Sequence, residues 1–129
     1  MKVIIAGGRD FDNYQYLSDT MNNLNIIVSE IVCGGASGAD SLGELWAKNN
    51  EIPIKYFYPD WDRYGKAAGP IRNQEMAEYA DFLIAFWDKK SQGTKNMIDT
   101  MISCGKHGLV SVYTKINASN CLSIKSFIW

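Results

Sequence analysis

No stretch of this sequence stays apolar for the roughly 18–20 residues that span a bilayer, and Met1-Lys2-Val3 leads straight into a strand pattern instead of a secretory apolar segment with its cleavage site. A cytoplasmic protein with no membrane partner is the expectation. Charge of either sign is also not in excess. Thirteen Lys and Arg against fourteen Asp and Glu leave a net −1, so no global field draws the chain onto nucleic acid or anionic lipid, and any anion must be gripped locally. Cysteine occurs three times, at 33, 104 and 121, with no C-x-x-C pair. An odd, scattered set supports neither a disulfide framework nor a zinc site, and no metal or cofactor is expected. Histidine occurs once, at 107, where it suits the end of a helix. The first glycine-rich turn reads Gly7-Gly8-Arg9-Asp10 and not G-x-G-x-x-G, and Gly65-Lys66 is followed by Ala67, which has no hydroxyl to offer magnesium. Dinucleotide and P-loop sites are thereby excluded. There is no internal repeat, linker or low-complexity tract, and 129 residues make one domain, 1–129, the natural unit.

What the chain does have is alternation. Residues 3–6, 31–33, 54–58, 82–87 and 109–113 are short apolar or β-branched runs that read as strands. Between them, Tyr14, Leu17, Met21 and Leu24, then Leu42, Leu45 and Trp46, then Met97, Ile98, Met101 and Ile102 recur at helical spacing. A fourth helix is expected over 70–80, with Pro70 at its first position. Strand and helix in strict turn predict an α/β, Rossmann-like three-layer sandwich with a mainly parallel sheet of at least five strands. The first and fourth strands, apolar throughout, belong at the centre, and Lys55 marks the third as an edge; the order 3-2-1-4-5 follows. The tail from about 117 to 129 is expected to form an edge strand or to pack on the side of the sheet. Its Phe127, Ile128 and Trp129 need a burial partner, for which a second copy of the chain, most simply in a homodimer, is the candidate.

In such a fold the ligand crevice opens at the carboxyl ends of the strands. Eight of the eleven glycines, at 7, 8, 34, 35, 38, 65, 69 and 93, fall in the loops on that edge, against two, at 105 and 108, on the other. Glycine admits a ligand close to backbone amides, and each loop delivers the positive end of a helix dipole, so the edge reads as an anion site, most simply for phosphate. In the run 34–40, Ser37 is placed to cap the next helix and Asp40 falls in its first turn, either as a dipole-favoured carboxylate or as an acceptor for ribose hydroxyls or an amine. Arg72 lies in a first helical turn, against the local dipole, with a planar fork suited to phosphate or carboxylate; Asn73 and Glu75 extend that polar cluster. The segment 59–68 is long enough for a lid. Its Trp61 and Tyr64 offer faces for a purine, or one of them anchors the loop. Thr94 is read as the hydroxyl cap of the last helix, behind Gly93.

Five motifs in order, Val3 to Phe11 (VIIAGGRDF), GGASGAD at 34–40, AGPIRNQEM at 68–76, ADFLIAFWD at 80–88 and QGTKNM at 92–97, resemble the YspA/YpsA-related branch of the SLOG (SMF/DprA–LOG) superfamily over about residues 2–105. The resemblance implies a Rossmann-like sheet whose glycine-rich loops bind a nucleotide or nucleotide-derived molecule, as a sensor or sequestering module. It implies contacts from Gly7, Gly8, Arg9, Gly34, Gly35, Gly38, Asp40, Arg72, Asn73, Gly93 and Thr94. The LOG enzymes of that superfamily cleave the N-glycosidic bond of nucleoside monophosphates with a Pro-Gly-Gly-x-Gly-Thr-x-x-Glu motif. Here Met97 stands at the glutamate position, so a phosphoribohydrolase would have to use Asp40 or Glu75 as its catalytic carboxylate. A DprA-like single-strand DNA binder is the remaining alternative, against which the balanced charge argues.

Overall fold

The apolar runs of the central strands form a sheet because their side chains are buried on both of its faces, whereas the edge strand at 54–56 leaves Lys55 exposed. The computed structural model describes residues 1–117 and 120–129, with side chains at 1–114 and 125–129. Strands β1 (Lys2–Gly7), β2 (Glu30–Cys33), β3 (Ile54–Tyr56), β4 (Phe82–Trp87), β5 (His107–Asn117) and β6 (Asn120–Ile128) form one sheet in the order β3-β2-β1-β4-β5-β6. The first five are mutually parallel and β6 runs antiparallel to β5, pairing Leu109 with Ile128. The expected order is therefore present, extended by one strand from the tail.

Alternate residues of the central strands feed two cores. Val3 and Ile5 of β1, with Ile31, Ile84 and Phe86, pack beneath α1 (Tyr14–Asn23) and α2 (Ala39–Asn49). Ile4, Val32, Leu83 and Ala85 face α4 (Ala68–Tyr79) and α5 (Gln92–Ser103) through Met76, Met97 and Met101. The right-handed crossovers put two helices on each face, and the sheet order reverses between β1 and β4. All the loops entering these four helices rise from the same edge. Among the described residues no helix is long and apolar enough to cross a membrane.

Several local expectations are corrected. Helix α4 begins at Ala68, so Pro70 is its third residue; the substitution of a ring for an amide is tolerated there because the first four amides of a helix have no intrahelical partner. The supposed lid loop contains the short helix α3 (Trp61–Tyr64) and a 3₁₀ turn, Gly65–Ala67, started by Asp60, whose carboxylate accepts the Arg63 amide at 3.1 Å. His107 opens β5 instead of closing a helix, and its Nδ1 lies 3.1 Å from the Trp129 carbonyl. Trp129 is covered by its own chain: its Nε1 donates to the Lys106 carbonyl at 3.0 Å and its ring lies over Gly108. Phe127 and Ile128 remain 47% and 71% exposed. Cys33 is buried and Cys104 partly so, both as free thiols; Cys121 lies outside the described side chains.

The caps also differ from expectation. Gly38, not Ser37, occupies the N-cap of α2, at φ +72°, where no side-chain cap is made. A Cβ there would also run into the backbone of Gly8 and Arg9. The close approach lets the Gly8 carbonyl accept amides from both Phe11 and Ala39 at 3.2 Å, tying the β1–α1 loop to the start of α2. For α5 the cap is Ser91, whose Oγ accepts the Thr94 amide at 3.4 Å and lies 3.0 Å from the Thr94 hydroxyl. Ser91→Ala is accordingly expected to cost about 1 kcal/mol in urea denaturation, whereas Thr94→Ser, which keeps the hydroxyl, is expected to cost less than Ser91→Ala.

Candidate functional site

Where the sheet order reverses, the loops after β1, β2 and β4, the first turns of α2 and α5 and the second turn of α4 line a cleft of about 540 Å³, within the roughly 300–1,000 Å³ of small-molecule sites. Because α4 starts at Ala68, Arg72 is its fifth residue and not, as the sequence suggests, in its first turn. Of the residues singled out in the sequence, Gly7, Arg9, Gly34, Asp40, Arg72, Asn73, Gly93 and Thr94 line it. Gly8, Gly35, Ser37, Gly38, Trp61 and Glu75 do not. Gly8 and Gly38 are spent on the contact between loops just described. Gly35, at φ +73°, lies against the Tyr58 ring. Ser37 and Glu75 are exposed, and Trp61, 55% exposed, sits beside Gly69 on the outer side of α4. Residues that line the cleft without having been proposed for it include Asp10, Ala36, Asp88, Lys90 and Ser91.

The α2 side of the cleft is built around a buried carboxylate. Asp40 is 6% exposed and its Oδ2 accepts the Ala36 amide at 3.3 Å. Burial pushes its carboxyl up to about 6, against the opposing pull of the Ala36 and Gly34 amides and the Arg72 guanidinium. Arg72 is fixed by three acceptors. Its Nη1 donates to the Gly34 carbonyl at 2.9 Å and to the Phe57 carbonyl at 3.4 Å, and its Nε donates to Asn73 Oδ1 at 3.0 Å. Burial lowers its pKa while Asp40 opposes that shift. Glycine at 34 is required by this arrangement, since a Cβ would occupy the place of the guanidinium.

Asn73 carries the order across to α5. Its Nδ2 donates to Asn96 Oδ1 at 2.9 Å and to the Gly93 carbonyl at 3.3 Å, so one buried amide both orients Arg72 and holds the start of α5. On that side Asp88 Oδ1 accepts the amides of Lys90 and Ser91, each at 2.8 Å, shaping the turn that aims α5 at the cleft. The amides of Gln92 and Gly93 precede the first intrahelical bonds of α5. A Cβ at Gly93 would meet nothing within 4 Å and its φ is not in the left-handed region. Packing does not require glycine there; the open space above it belongs to the cleft. Cys33, nearby at the end of β2, is an apolar filler: burial first, then the Asp40 and Glu44 carboxylates, raise its thiol above the ordinary range.

The fold and the cleft at its switch point define a doubly wound, Rossmann-like protein. Residues 1–64 match the family described as YAcAr, the YspA, cpYpsA-related SLOG family. The chain is 36% identical over 72 residues to the Gene 61 protein of Mycobacterium phage D29, a match covering 51% of this chain and 58% of that protein. Among solved structures it is similar to DNA processing protein A (DprA) from Streptococcus pneumoniae, with a TM-score of 0.71 and 17% identity over 91% of this chain and 52% of that one. At that identity the likeness is one of fold. The chain spans little more than half the length of either protein.

Proposed function

We propose that this protein binds a nucleotide or nucleotide-derived small molecule in the cleft at the β1/β4 switch point, as a sensor or sequestering module. The observation that carries the reading is that a first-turn glycine free of any packing demand, Gly93, faces the same cleft as the buried Asp40 and its Arg72. The amides at the start of α5, with Arg9 and Lys90, suit a phosphate. Asp40 suits ribose hydroxyls, and Arg72, held in plane by its carbonyl partners, suits a second anionic oxygen. The family match over residues 1–64 and the position of the cleft support the same reading. Titration calorimetry of the full chain against mono-, di- and cyclic nucleotides tests it: saturable binding by at least one is expected, and silence across the panel from folded protein would overturn it.

A hydrolytic reading has one specific observation in its favour, a carboxyl raised to about 6 inside the cleft, which is where a general acid working near neutrality needs to titrate. Under this reading Asp40 protonates the departing base of a nucleoside monophosphate; Glu75, outside the cleft, takes no part. Chromatography of incubated nucleotides would show free base, lost in Asp40→Asn. Phe127 and Ile128, exposed on the edge strand β6, are assigned to contact with a second copy of the chain. Light scattering should then give a dimer that Ile128→Lys converts to a monomer.

A further inference from the structure

A nucleotide held as above has a direction across the fold. The start of α5, which suits the phosphate, follows β4, and Asp40, which suits the ribose, stands in the first turn of α2, after β2. In the sheet order β3-β2-β1-β4, a line from the first to the second runs from β4 past β1 to β2. Carried one strand further, it crosses the loop at 34–36 and reaches the end of β3. Neighbouring strands lie about 4.8 Å apart, so the whole line, three spacings, is roughly 14 Å long. An extended nucleotide covers such a distance.

What stands just past the end of β3 is Tyr58. It is 67% exposed, yet its ring is fixed in place. Tyr56 stacks on it, with centroids 5.5 Å apart and planes 5° from parallel, and Tyr56 itself packs against the core under α1 and α2. Gly35, in the left-handed region at φ +73°, comes so close that a Cβ there would meet the Tyr58 ring at 2.5 Å. The residues on either side of Gly35, Gly34 and Ala36, line the cleft. One position before Tyr58, the Phe57 carbonyl accepts Arg72 Nη1 at 3.4 Å, which ties the backbone entering Tyr58 to a side chain of the cleft. An exposed aromatic residue on its own is ordinary; this one is held in plane by a second ring at the rim of the cleft, on the line along which the base leaves the ribose. A fixed aromatic face offers stacking, which responds to the size of the base and not to the donors and acceptors along its edge.

We infer that Tyr58 is the base-stacking platform of the site and that the ligand is a purine nucleotide, lying from the start of α5 across Asp40 to the end of β3, with little discrimination between adenine and guanine. The inference rests on the nucleotide-binding reading and adds a base subsite to it. Calorimetry of the full chain with AMP, GMP and ribose 5-phosphate, which keeps the ribose and phosphate and lacks the base, tests it. AMP and GMP are each expected to bind about tenfold more tightly than ribose 5-phosphate, the scale of one base–aromatic stack. Tyr58→Ala, at an exposed position, is expected to bring that ratio to about one and to leave the affinity for ribose 5-phosphate unchanged; Tyr58→Trp, which keeps an aromatic face, is expected to preserve the ratio. Ribose 5-phosphate binding as tightly as AMP and GMP overturns the inference and leaves the nucleotide reading standing. A ratio that survives Tyr58→Ala, whether all three affinities hold or all fall alike, overturns it as well. No binding of AMP or GMP by folded protein also overturns it, and the di- and cyclic nucleotides of the panel above then decide separately whether the nucleotide reading stands.

Discussion

Asp40→Asn is expected to make the protein more stable above pH 6 and a poorer binder of its ligand. The carboxyl is 6% exposed, and burial raises it from the ordinary 3.8 to about 6. Between those values the folded chain holds a proton that the unfolded chain releases, so stability falls as pH rises through this window. Above about 6 the whole penalty, on the order of 3 kcal/mol, is present; below 3.8 it is gone. Asparagine keeps an oxygen to accept the Ala36 amide and carries no charge to desolvate. Because the variant also forfeits the attraction of Arg72, the net gain at pH 8 is expected to be about 1–3 kcal/mol, shrinking toward zero at pH 4. Urea denaturation at pH 4, 6 and 8 measures it, and equal stability of the two proteins at pH 8 would refute it. Affinity for the best nucleotide should fall at least about tenfold, since a hydrogen bond to an ionised acceptor contributes roughly 1.5–3 kcal/mol. A carboxylate retained at a cost to the fold is what a binding role for Asp40 requires.

The sheet was legible because burial on both faces leaves an unmistakable mark. Residues of β1 and β4 are apolar at consecutive positions, Lys55 breaks the pattern at the edge, and helical spacing between them forces parallel pairing. The glycine asymmetry likewise pointed to the edge on which the cleft opens. The local details were less legible, for reasons of geometry. Ser37 and Gly38 compete for one cap, and the decision rests on how closely the Gly8 and Arg9 backbone approaches, a tertiary fact. Ser91 displaces Thr94 as the cap of α5 because the turn held by Asp88 starts the helix at Gln92, which leaves Thr94 inside its first turn. Nothing in periodicity says where an exposed charge between a strand and a helix points, so Asp10, Asp88 and Lys90 emerge as cleft residues only in three dimensions. Their one sequence-level mark is position: Asp10 and Asp88 follow the carboxyl ends of the two central strands that flank the switch point.

Arg72→Met should show whether the guanidinium and Asp40 act as a unit. Methionine preserves most of the apolar stem and removes every donor, leaving the Gly34 and Phe57 carbonyls and Asn73 Oδ1 without the bonds they accept at 2.9, 3.4 and 3.0 Å. Partly buried acceptors deprived of a donor cost about 1–3 kcal/mol. Asp40 loses the attraction that lowers its pKa, so its carboxyl rises further above 6 and its charged form becomes harder to bury. The loss of stability is therefore expected to depend on pH: about 2–4 kcal/mol at pH 8, where the wild-type carboxylate is ionised, and markedly less at pH 5, where it is protonated. In an Asp40→Asn background the pH dependence should vanish and only the lost hydrogen bonds remain, a difference that a double-mutant cycle isolates. Nucleotide affinity is expected to drop about a hundredfold, the scale of a charge-assisted contact to phosphate together with the disordering of its neighbours. A stability loss of equal size at pH 5 and pH 8 would mean that Arg72 serves only the loop carbonyls, and that the carboxylate beside it gains nothing from its charge.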